Sequence, residues 1–229
     1  MNDFDLLRLT YRGGQVAIVA EFVTVLGLML LLLTGPISLA TEDDVAPQIE
    51  FFLQAYREAP ALYFLVSGLL LLVGPLLMLW VVWAWHFYLE HEAKLVFGVW
   101  PLTSLALMGI AMLLLSFVVG VAGVVTAEES YQNGFFSQEA VHLVVLMEIL
   151  LQSGGFGLLY VVYPLAISLV LWERRLYPRW LIAGGVLAFL LLNGLSIALC
   201  PFFMGVVLLQ KAGRLAHDLQ KQTASQPTR

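Results

Sequence analysis

The run QVAIVAEFVTVLGLMLLLLTG at 15–35 sets the strongest constraint on this chain. A helix needs roughly 20 consecutive apolar residues to cross a bilayer core about 30 Å thick. The run supplies them with a single charged side chain, Glu21, inside it. Comparable runs predict helices near 15–34, 61–86, 101–126 and 141–172, followed by a last apolar stretch at 180–209. Composition agrees: the chain is 61% hydrophobic and 12% charged, where a soluble domain carries about 25% charged residues. The expectation is an all-α, polytopic transmembrane helical bundle, one domain over 1–222 with a disordered cytoplasmic tail at 223–229. Arg8 and Arg12 ahead of the first run, and SLA at 38–40, resemble a signal peptide and its cleavage site. The run is longer than a signal h-region of about 7–15 residues, so it reads as the first transmembrane helix.

The stretch at 180–209 is the main topological problem. Its 30 residues would make about 45 Å of helix at 1.5 Å per residue, too long for one upright crossing. Asn193–Gly194 in its middle is a turn dipeptide, and Pro201 follows. Two short helices, about 179–193 and 195–211, fit better, with a re-entrant hairpin as the alternative. Charge arbitrates, because short cytoplasmic loops collect Lys and Arg. With six segments, ten of the eleven basic residues fall on one side and only Arg57 on the other. About six membrane segments are therefore expected, with both termini cytoplasmic. The loop 41–60 is acidic and carries Ile49, Phe52, Leu53 and Tyr56 at helical spacing, which predicts a short amphipathic helix on the outer surface or capping the bundle. At the inner ends, residues 2–12 could be interfacial, and KAGRLAHDLQK at 211–221 looks like an amphipathic extension of the last helix.

WAWHFYLEHEAK at 83–94 holds two histidines and two glutamates at the inner end of the second helix. All six tryptophans, Trp80, Trp83, Trp85, Trp100, Trp172 and Trp180, fall near that face. Indole favours the headgroup level, so the stretch reads as an aromatic belt with a polar exit. The competing reading is a metal site. His86 and Glu90 share a helical face and His91 is adjacent, but a catalytic zinc needs three protein ligands, and no HExxH is present. His86 and His142 lie near opposite faces, which argues against a haem between them. No cofactor is expected.

An ionisable side chain inside a transmembrane helix is costly and so is a functional candidate. Glu21, with Thr24 on its face, and Glu148, with Gln152, Gly155 and Leu159 continuing its stripe and Tyr163 close by, are the intramembrane polar candidates. They read either as a proton- or cation-responsive pair or as hydrogen-bonded packing groups. Ser116-xxx-Gly120, continued by Gly123, is a small-xxx-small seam; Gly154, Gly155, Gly157, Gly184 and Gly185 add further close-packing positions. Pro164 could kink the fourth helix.

No GxSxG, P-loop or HExxH occurs, and the basic residues form no stripe for nucleic acid. Cys200, the only cysteine, excludes a disulfide framework or a CxxC pair. The segment SLVLWERRLYPRWLIAGGVLAFLLL at 168–192, with ALCPFFMGVVLLQKAGR after it, resembles the C-terminal part of a broad set of bacterial multi-pass membrane proteins of unknown function. That resemblance implies two final short helices and carries no activity. The expected role is a non-enzymatic integral protein of the bacterial cytoplasmic membrane, acting as a subunit of a larger membrane assembly. Its expected partners are the lipid bilayer and either other membrane subunits or further copies of itself. The alternatives are a small-solute or ion-coupled carrier or channel using the intramembrane glutamates, and a membrane-embedded enzyme or metal protein using His86, Glu90 and His91.

Overall fold

The computed structural model describes residues 3–34, 53–54, 56–92, 98–179, 182–183, 186 and 195–225. Among the described residues the chain is helical, with no strand. The elements are α1 (Asp3–Thr34), α2 (Pro60–Ser67), α3 (Gly74–Glu92), α4 (Trp100–Val118), α5 (Val125–Gln132), α6 (Gln138–Phe156), α7 (Tyr163–Glu173) and α8 (Leu195–Ser225). Four helices are long and apolar enough to cross a membrane: Asp3–Leu30, Pro60–Glu92, Trp100–Gln132 and Gln138–Glu173. They are the four apolar runs, each extended at its polar ends. The extension is largest in α1, where residues 3–14 continue the helix. Asp3 and Asp5 sit in its first turn, where carboxylates complement the helix dipole.

Three of the long helices widen to π-helix near their middles, at Gly68–Val73, Gly157–Val162 and Val119–Val124. In the first two cases a proline follows two residues after the segment, Pro75 and Pro164. Proline has no N–H for the carbonyl one turn back and its ring crowds that carbonyl, so a wider turn absorbs both defects. The kink expected at Pro164 therefore takes the form of a π turn beginning seven residues earlier, at Gly157. The third segment contains Gly120 and Gly123 instead.

Tight chain reversals follow turn chemistry. Gly134, in the left-handed region (φ 74°), closes the link between α5 and α6. There the Phe135 N–H bonds the Ser130 carbonyl at 2.8 Å. Ser137 caps α6 by accepting the Ala140 N–H. Pro60 opens α2 at a position where a missing N–H costs nothing.

The chain divides into two units: residues 1–21, 77–107 and 158–229, and residues 22–76 and 108–157. In the first unit, α1 and α8 approach closely. A Cβ on Gly205 would stand 2.9 Å from the Gly14 carbonyl oxygen and 2.9 Å from the Ala17 Cβ. In the second unit, Leu53, Val124, Ala127, Val141 and Val145 form a buried cluster, with Tyr56, Val144, Leu146 and Ile149 against it. Leu53 thus packs as the amphipathic segment required, while Ile49 and Phe52 lie outside the described residues. Gly155, from the glycine run expected on the fourth span, packs against the third: a Cβ there would sit 2.6 Å from Leu113 and 3.0 Å from the Gly109 carbonyl oxygen. Gly157, by contrast, faces nothing within 4 Å.

The belt reading fails for one tryptophan. Trp85 is 1% exposed, packed edge-on to Tyr88, because positions 81, 82, 85, 88 and 89 make the inward face of α3. Trp80, Trp100 and Trp172 are exposed, as interfacial rings should be. The Asn193–Gly194 turn, Gly184 and Gly185 lie outside the described residues. Helix α8 runs without a break from Leu195 through Ser225, so the expected amphipathic extension continues the helix. The tail beyond Ser225 is outside the described residues.

Candidate functional site

Among the described residues, Glu148 is the most enclosed carboxylate of the second unit, 1% exposed on α6. The Tyr63 hydroxyl, three residues into α2, donates to it, standing 2.9 Å from Oε1 and 3.0 Å from Oε2. The Ser116 hydroxyl on α4 donates to the Glu148 backbone carbonyl at 3.1 Å. Gly120 lies directly against the carboxyl: a Cβ there would be 2.8 Å from Cδ and 3.2 Å from Oε2. The Ser116-xxx-Gly120 seam therefore lets a carboxyl head into a helix interface as well as a backbone. Gln152, expected to continue the stripe, is half-buried, and no hydrogen bond joins it to Glu148 among the described residues. Leu159 and Tyr163 are buried, but they belong to the first unit.

A second polar clasp lies in the same unit. Arg57 donates from Nε and Nη2 to the two oxygens of Glu128, at 2.9 and 3.0 Å. This bidentate geometry is the strong form of an ion pair. Gln132, one turn along, donates to Glu128 at 3.3 Å. Tyr56, Tyr63 and Phe64 are mutually edge-to-face, with centroids 5.6–5.9 Å apart, and so join the neighbourhood of Arg57 to that of Glu148. Burial, with the Glu129 and Glu128 carboxylates nearby, raises the Tyr56 phenol above its ordinary value. Tyr63, Arg57 and Glu128 were not singled out by the sequence pattern. Arg57 stood out only as the lone basic residue on the acidic side.

In the first unit, Glu21 is 8% exposed. Its carboxyl faces the Phe202 backbone N–H, next to Pro201 inside α8. Its Oε2 has no hydrogen-bond partner among the described residues. Thr24 is buried on α1, but it belongs to the second unit.

His86 is buried among Trp83, Phe87 and Trp100, all edge-on at 4.8–5.4 Å. Its Nδ1 meets the Thr103 hydroxyl at 2.7 Å. That hydroxyl donates its own proton to the Val99 carbonyl at 3.2 Å, so Nδ1 must carry the proton in this contact. Nε2 lies 3.9 Å from Glu90. His91 is exposed. The described residues contain no group of three or more His, Cys, Asp or Glu placed to hold one metal ion.

These arrangements can fix helix register and hold charge in an apolar interior. Comparisons with known protein families, with curated proteins and with solved structures find no match to this chain.

Proposed function

We propose that the protein is a non-enzymatic subunit of a larger assembly in the bacterial cytoplasmic membrane. We place six segments in that membrane, the last two forming a short or re-entrant hairpin, with both termini on the cytoplasmic side. One observation carries the role: three buried polar groups of the spans are each closed by a partner within the chain, Glu148 by Tyr63, Glu128 by Arg57 and His86 by Thr103. What remains on the outside of the spans is large and apolar, including Phe22, Met29, Met147, Leu150 and Leu169. In lipid, such faces meet acyl chains or other helices, and packing rather than chemistry is their use. The orientation is supported by charge. Among the described residues, Arg8, Arg12, Arg174, Arg175, Arg179, Lys211, Arg214 and Lys221 all belong to the first unit, and the second contains only Arg57.

Native mass spectrometry of protein extracted gently from its own membrane tests the role. A reproducible complex with other polypeptides is the expected result. A monomer or homo-oligomer carrying only a small ligand would refute it. A second reading, an ion-coupled carrier or channel, is favoured by the unpartnered Oε2 of Glu21. It requires that Glu21→Gln or Glu148→Gln abolish flux in liposomes while the protein still folds; unchanged flux would remove it.

A further inference from the structure

Immediately after α7 the chain makes a short basic loop, 174–179, and returns against α8. The loop begins with a Schellman turn. The Leu176 N–H bonds the Leu171 carbonyl at 3.1 Å, and the Arg175 N–H bonds the Trp172 carbonyl at 3.3 Å. The residue at the left-handed position of this turn is normally glycine. Here it is Arg175, with φ 54°, a conformation that any Cβ disfavours. Two contacts then pin the loop to α8: the Lys211 ammonium donates to the Leu176 carbonyl, and the Tyr177 hydroxyl donates to Gln210. The Lys211 ammonium also lies 5.9 Å from the centres of the Tyr88 and Tyr177 rings.

Between loop and helix lies an open cavity of about 590 Å³ lined by Arg175, Leu176, Tyr177, Pro178, Arg179 and Arg214. Three arginines line it. Arg179 stacks over Trp172 at 5.4 Å, and none of the three has a carboxylate partner among the described residues. The carboxylate whose charge bears on this region is that of Glu92, which acts on Lys211; Glu173 is exposed at the start of the loop. Unpaired guanidinium forks on a pinned backbone match the planar, multidentate needs of phosphate oxygens.

We propose that this cavity binds an anionic phosphate ester through Arg175, Arg179 and Arg214. The ester can come from a membrane lipid headgroup, since the fourth span ends at Glu173, or from a soluble phosphate compound. The cavity is within the usual range for a small-molecule site, roughly 300–1,000 Å³, and has room for the alcohol as well as the phosphate.

The test measures binding by the full-length protein in nanodiscs of phosphatidylcholine doped with phosphatidic acid, and separately by the detergent-solubilised protein titrated with inorganic phosphate. The variants are Arg175→Gly, which keeps the left-handed turn and removes only the guanidinium, and the triple variant Arg175→Gly/Arg179→Gln/Arg214→Gln. Each guanidinium lost should weaken binding by about tenfold, the size of one charge-assisted contact. Retention of phosphatidic acid over phosphatidylcholine, lost stepwise in the variants, supports a lipid source. Saturable binding of inorganic phosphate, lost in the same steps, supports a soluble one. Equal retention of the two lipids with no phosphate binding, or variants that bind as the wild type does, overturns the proposal. Arg175→Gly alone keeps the test decisive if the triple variant fails to fold.

Discussion

Replacing Gly120 by alanine tests the Glu148 clasp most directly. The new Cβ would sit 2.8 Å from Glu148 Cδ and 3.2 Å from Oε2, where carbon–carbon contacts settle near 3.5–4.0 Å. The carboxyl must move by about 1 Å. Such a shift disrupts hydrogen bonds to Tyr63 that now measure 2.9 and 3.0 Å. Overpacking costs about 1–3 kcal/mol, and a weakened interhelical hydrogen bond in a membrane protein costs about 0.6–1.7 kcal/mol. Alanine's helix preference returns at most about 1 kcal/mol. The net expectation is destabilisation by about 2 kcal/mol, roughly 30-fold in the folding equilibrium. Gly157→Ala and Gly68→Ala are the matched controls. Each opens a π segment, and neither Cβ would meet anything within 4 Å, so neutral or slightly stabilising effects are expected. Unfolding over a rising mole fraction of SDS in mixed micelles, read by pulse proteolysis, gives the three values. Combining Gly120→Ala with Glu148→Asp, which withdraws the carboxyl by one methylene, should recover part of the loss as a coupling energy. If Gly120→Ala is no worse than Gly157→Ala, or the double variant shows no coupling, the close approach of Gly120 and Glu148 is wrong.

Tyr63→Phe removes the clasp's donor but keeps its ring, and should cost about 0.6–1.7 kcal/mol in the same assay; an unchanged midpoint would show the Glu148 contact to be dispensable. Gly205→Val adds bulk at a position where a Cβ alone would stand 2.9 Å from both the Gly14 carbonyl oxygen and the Ala17 Cβ. It should separate α1 from α8 at a cost of about 1–3 kcal/mol. A cysteine cross-linking yield between α1 and α8 that is unaffected by Gly205→Val would contradict that packing. For Lys211, the sign follows from linkage. Its folded value lies below 10.5, so between the two values the unfolded chain holds a proton that the folded chain has lost, and stability rises with pH through that window. The rise should end near pH 10.5, the ordinary lysine value. Lys211→Gln should flatten this slope, and an identical slope in the variant would place the titration elsewhere.

Much of the candidate site was only half legible. Glu148 stood out because a lone carboxylate among apolar neighbours is conspicuous, and Ser116-xxx-Gly120 marked a close approach. Nothing in one sequence joined the two, because the helices that bring them together are separated by 32 residues between Ser116 and Glu148. Tyr63 lies 85 positions from its acceptor, and aromatic residues are common at helix ends, so no local pattern singled it out. Arg57 and Glu128, 71 positions apart, were hidden for the same reason. His86 gains a partner that its local spacing with Glu90 did not show: Nδ1 is engaged by Thr103, on the helix that follows in the chain.

The sequence by itself determined four helices long and apolar enough to span a membrane, because apolar length is a property of consecutive residues and bilayer thickness is the ruler. It also placed the basic loops and the Pro164 kink, both of which are local properties of consecutive residues. Only tertiary structure decided which polar group each carboxylate would face, that Trp85 would be buried while Trp80 and Trp100 stayed outside, and that three arginines would share a cavity. Those outcomes depend on how each helix is rotated about its axis. In lipid, where apolar faces are nearly equivalent, small-residue seams and a few polar contacts set that rotation.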